Sequence, residues 1–244
     1  MPALARLRRP GKRLSIQLLA ATAVMLVLCG SAAADAEFAG MGYNGTTAIH
    51  GARVSIQRYN PIVNYETSSA WSMVLDSRIL SPYAAFAQVG YLKLSSWNQP
   101  WYFYEYADAY GNDPGPQRLT AVPNGGNYTG ADDLFTVQFV SGGYIKYRIN
   151  GNEVHSSGHD WTPETCEWMG EIHATSTHWP QFVGDATHKV HFTRPALFST
   201  NDDNWHGVSP DSDRLTPDGS SKHGRVRGLP DATDPYFHMW DDRY

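Results

Sequence analysis

The chain has 244 residues, of which 41% are hydrophobic and only 18% charged, with a formal net charge of −5. Its 8 Trp, 14 Tyr and 9 Phe exclude a disordered polymer, which lacks the apolar surface to fold. Low charge with 22 Gly and 15 Pro argues against a helical bundle, and the acidic balance argues against a nucleic-acid binder.

Residues 1–36 read as a signal peptide. Arg6, Arg8, Arg9, Lys12 and Arg13 form a basic region, Ile16 to Leu28 is almost unbroken apolar sequence, and Ala34 or Ala36 offers a small residue for cleavage. The apolar run is short for a membrane span. The segment carries five positive charges and one negative, so its removal takes the net charge from −5 to −9. Cys29 leaves with it, so Cys166 remains alone and no intramolecular disulfide forms. The expectation is a secreted, acidic, monomeric protein of residues 37–244, without a membrane anchor after cleavage and stabilised by its core.

In chain order, short alternating or aromatic runs follow at Arg53–Arg58, Trp71–Leu75, Ala85–Leu94, Trp101–Tyr106, Leu134–Val140, Tyr144–Ile149 and Lys189–Phe192. Asn60-Pro61, Gly111-Asn112-Asp113-Pro114-Gly115, Asn124-Gly125-Gly126, Ser141-Gly142-Gly143 and Asn150-Gly151-Asn152 supply turn chemistry between them. No sustained 3.6-residue apolar period is present. This pattern predicts one all-β domain, a twisted antiparallel sandwich of two stacked sheets. Residues 199–235 are poor in large apolar side chains and read as a long C-terminal loop, before a last strand at Tyr236–Trp240.

The chemistry is found by elimination. The ten histidines lack zinc-ligand spacing, and they read as scattered surface residues. Gly-x-Ser-x-Gly is absent, and Cys166 reads as a small buried residue. No cofactor or metal is expected. Amide and carboxylate side chains on strands remain: Gln88, Glu171 in an apolar setting that disfavours its charge, Asp76 and Glu105. A rival reading is a binding module, with Trp97, Trp101, Trp161, Trp179 and Trp205 stacking on sugar rings. Paired acids also keep a glycosidase open.

The segment from Gly51 to Pro61, then Ser69-Ala70-Trp71-Ser72-Met73-Val74, Ala87-Gln88-Val89-Gly90-Tyr91 and Tyr102 to Tyr110, with Gly170-Glu171-Ile172 and Thr175-Ser176-Thr177 downstream, resembles the neprosin-type catalytic domain. The resemblance covers about Gly51 to Phe192. It implies a secreted glutamic endopeptidase with a β-sandwich domain and two catalytic glutamates, at positions 88 and 171. This chain carries Gln88 at the first, and Met169-Gly170 where the family tends to carry two glycines. Gln paired with Glu is the dyad of the fungal glutamic peptidases, the eqolisins, whose motif order is also similar. The resemblance implies that Glu171 activates water, Gln88 stabilises the oxyanion, and Trp71, Asp76 and Glu105 line or support the groove. It further implies a protein or peptide substrate, acidic pH and, from neprosin, cleavage after proline.

Overall fold

The computed structural model describes residues 35–44, 48–76, 85–128, 130–174, 178–208, 223–229 and 236–244. Among the described residues, fourteen strands form two antiparallel sheets packed face to face, and 61% of these residues are strand. The first sheet has the order β1 (Asp35–Asn44), β10 (Thr165–Ala174), β3 (Thr67–Leu75), β4 (Phe86–Leu94), β5 (Trp101–Ala107), β6 (Gln117–Ala121). The second runs β13 (Gly224–Leu229), β14 (Tyr236–Asp241), β11 (Val190–Ser199), β2 (Ile49–Gln57), β7 (Asp132–Val140), β8 (Tyr144–Ile149), β9 (Asn152–Gly158), with β12 (Asn204–Gly207) also paired to β11. The expected sandwich is the one found.

Alternation explains which side chains meet between the sheets, because successive residues of a strand face opposite ways. Ala87, Val89 and Tyr91 of β4, Val54 and Ile56 of β2, Phe135 and Val137 of β7 and Trp168 of β10 fill the inter-sheet core. The opposite face of the first sheet carries a second apolar cluster of Trp71, Met73, Phe86, Leu92, Phe103 and Met169. A sheet buried on both faces, with one face partly polar, is where the site forms.

The loop expected over 199–235 needs correction. β11 runs to Ser199, and β12 and β13 lie inside that stretch, while residues 209–222 and 230–235 are outside the described set. The short strands lack an apolar signature because they bind at sheet margins, where backbone pairing to β11 and β14 does most of the work. β1, β6 and β9 give no clear strand signal in the sequence for the same reason. β11 tolerates Pro195 because its register with β2 shifts between Thr193 and Ala196, the kind of irregularity where a missing N–H is harmless. The apolar segment ahead of residue 35 and Thr175-Ser176-Thr177 also lie outside the described residues.

Candidate active site

Three strands bring the polar residues together. On β3, Trp71 pairs with Gly90 of β4 on one side and Met169 of β10 on the other. One step along, Met73 pairs with Gln88, which in turn pairs with Glu105 of β5. One step the other way, Ser69 pairs with Glu171. All these residues are an even number of positions apart on their strands, so their side chains share one face. Gln88 and Glu171 therefore share one face, two strands apart with β3 between them, on either side of the Met169–Trp71–Gly90 row.

Gly90 sits in that row, where the two strands are tightly packed. A Cβ there would stand 2.0 Å from the Ala70 carbonyl oxygen and 2.7 Å from Trp71 Cα, so only glycine lets β3 and β4 approach. A groove with a volume of about 510 Å³ lies on this face. Gln88, Glu105, Glu171 and His173 line it together with Glu66, Thr67 and Ser69, and Leu92, Leu94, Phe103, Pro114 and Pro116 give it apolar walls.

Gln88, Glu105 and Glu171 are 3%, 4% and 3% exposed, so each depends on protein partners. The Gln88 Nε2 group donates to Glu105 Oε2. Burial, then the nearby Asp113, raises the Glu105 carboxyl well above its ordinary value, and Glu105 donates to Asp113. Asp113, itself raised by burial, accepts the Gly115 N–H at 2.7 Å. This relay fixes which end of the Gln88 amide is nitrogen. One amide N–H is held by Glu105, while Gln88 Oε1 is buried without a hydrogen-bond partner.

Glu171 is held from two other directions. Trp71 Nε1 donates to its Oε2 at 3.2 Å, and His173 Nε2 forms an ion pair with its Oε1. Burial works against a charged His173, but the Glu171 and Glu66 carboxylates outweigh it and the imidazole titrates above its ordinary value. Glu167, two turns of the pleat along β10 and also on this face, has its carboxyl pushed up to about 7 by burial and the Glu171 charge.

The expected site residues thus separate. Gln88, Glu105 and Glu171 line one groove, while Trp71 is not a lining residue and acts on the site through its Nε1 donation to Glu171. Asp76 stands past the end of β3, an odd number of residues from Trp71, with its N–H on the Ala85 carbonyl; it is not among the groove residues. His173 departs from the expectation of surface histidines, being buried in the groove. Its only sequence signal is spacing, two residues from Glu171 on one strand. Of the tryptophans named for the binding-module reading, Trp161 is buried against Phe139, and Trp97, Trp101, Trp179 and Trp205 are half-buried against Arg118, His223, Arg53 or Phe198.

No family model matches the chain, and no curated protein matches it. The neprosin side of the resemblance therefore gains no support. Among solved structures, the fold is similar to that of Scytalido-glutamic peptidase with a peptide-based transition-state analogue, at 12% identity and a TM-score of 0.51 over 84% of this chain and 98% of that one. SCP-B, described as a member of the eqolisin family of peptidases and bound to the tripeptide Ala-Ile-His, matches at 10% identity and a TM-score of 0.47, covering 85% and 99%. Bacillus licheniformis β-glucanase matches at 12% identity and 0.39, covering 81% and 66%. At such identities the likeness is one of fold.

Proposed function

We propose that this chain is a secreted glutamic endopeptidase that hydrolyses peptide bonds with Glu171 as general base and acid and Gln88 as oxyanion donor. The observation that carries the reading is that these two side chains, buried on different strands, line one groove, each held by its own partners. A peptide laid along the groove would place its carbonyl between them. Glu171 takes a proton from water as the water oxygen bonds to the carbonyl carbon, and the free N–H of Gln88 meets the developing oxyanion. Glu171 then gives that proton to the amine nitrogen as the C–N bond breaks. General acid–base catalysis contributes about 10²–10⁴-fold and one oxyanion donor about 10²–10³-fold. Neither step calls on a cofactor.

Export follows from the N-terminal segment, and cleavage after Ala34 would leave β1 whole, whereas cleavage after Ala36 would remove its first two residues. The apolar walls, which include Pro114 and Pro116, suit an uncharged residue beside the scissile bond; post-proline cleavage is one instance.

The test is hydrolysis of denatured casein at acidic pH by wild type, Glu171→Gln and Gln88→Ala. Loss of at least about 10² in each variant is expected, mostly in kcat for Gln88→Ala. Unchanged hydrolysis in both variants would remove the dyad. An inactive but folded wild type that is retained on a polysaccharide would support the binding module instead.

A further inference from the structure

We propose that His173 is a positioning residue for Glu171, whose imidazolium orients the carboxylate for both proton transfers and whose deprotonation ends activity at the alkaline side. The kinetic half of this inference rests on the peptidase reading; the ion pair does not.

The geometry comes first. Glu171 and His173 are two residues apart on β10 and face the same way, opposite the small Ser69 and Thr67 of β3, so nothing bulky separates them. Trp71 Nε1 donates to Glu171 Oε2 while His173 Nε2 is paired by charge with Oε1, so each carboxylate oxygen faces a nitrogen. His173 is 8% exposed, and it is the one basic side chain among the described groove residues.

The charges around it are otherwise acidic. Glu66, left-handed at φ 53° in the turn before β3, adds a carboxylate. Glu105 and Asp113 lie across the groove, and Glu167 is further along β10. From β1, Glu37 turns to the opposite face and pairs with His223. From β4, Lys93 turns away to Asn60 and the Pro61 carbonyl. His178 is engaged with the Tyr65 ring at the rim. These surroundings favour the imidazolium, consistent with its raised titration.

In the resting groove, the Glu171–His173 pair carries one proton, on His173. The attacking water adds a second, on Glu171, as its oxygen bonds to the carbonyl carbon. Held beside the imidazolium, Glu171 then gives that proton to the leaving nitrogen as the C–N bond breaks, and the pair returns to one proton. Neutral His173 leaves a weaker contact, because a charge-assisted hydrogen bond is roughly twice as strong as a neutral one.

Two measurements test this on the full chain. Side-chain NMR should show His173 titrating above the exposed histidines in wild type and falling toward them in Glu171→Gln. An identical midpoint in both proteins would overturn the ion pair. In kinetics, His173→Gln retains an N–H donor without a titratable charge, and His173→Phe retains neither. Both should lose the alkaline limb of the kcat profile and fall by roughly tenfold in kcat, with KM within about twofold, the size of one charge-assisted contact. Circular dichroism checks that they fold. A wild-type alkaline limb in folded variants would overturn the positioning role. A wild type inactive on casein would sink the peptidase reading and the kinetic half together, while the Glu171→Gln titration would still decide the ion pair.

Discussion

Two clusters of buried charge sit on neighbouring parts of the sandwich and are built in opposite ways. Asp133, at the start of β7, is fully satisfied: Arg58 donates to it at 2.8 and 2.7 Å, Tyr102 at 2.5 Å and Asn150 at 2.8 Å. Although burial opposes its charge, these donors hold its carboxyl below the ordinary range. The groove cluster has more carboxyls than cations. The Glu105 carboxyl is raised well above its ordinary value, Glu167 is pushed up to about 7, and Gln88 keeps an acceptor without a partner. A satisfied network braces a scaffold, whereas an under-satisfied one leaves room for a ligand to complete it.

Removing the anion from the satisfied cluster should hurt stability most. Asp133→Ala strands the Arg58 guanidinium and should cost about 3–5 kcal/mol in urea unfolding; a cost under about 1 kcal/mol would mean the cluster braces nothing. Gly90→Ala attacks the groove through its backbone instead. The added methyl has no room against Ala70 and Trp71, so about 1–3 kcal/mol of stability should go and casein hydrolysis with it. Wild-type stability in the Gly90→Ala variant would show that the strands can move apart there.

The smallest stability change is expected at Glu105→Gln, under about 1 kcal/mol, because an amide resembles the neutral carboxyl that burial favours there. The two clusters should also respond to pH with opposite sign. Glu105 and His173 are raised, so their contribution is present below their ordinary values of 4.5 and 6.5 and is lost as pH rises through the folded values. Asp133 is lowered, so its contribution is present above 3.8 and is lost as pH falls. Thermal melting across pH should show both slopes, with Glu105→Gln flattening only the one at rising pH. A variant that retained the wild-type slope would break the contrast.

The strands flanking the groove are legible in the sequence because β3, β4 and β5 carry aromatic or β-branched residues at alternate positions between strong turns. Gln88 and Glu171 stand out from motif order, and Glu105 from its place among aromatics. Asp76 stands outside the residues that line the groove, one step beyond Leu75 at the end of β3. His173 escapes that reading because a histidine two residues from a glutamate is common on exposed strands, and its burial depends on strands far away in sequence.

The amino-acid sequence by itself determined the all-β class, since period-two alternation and turn residues are local properties of the chain. It also determined which residue types were available for chemistry. Only the tertiary structure decided that β10 lies beside β3, about 100 residues earlier, with Glu171 bonded to Trp71 across 100 positions. Register is the physical reason: one residue of slip would turn Glu171 and His173 into the core and face the groove with Ile172. No local pattern fixes that choice; the burial of both faces of the sheet does.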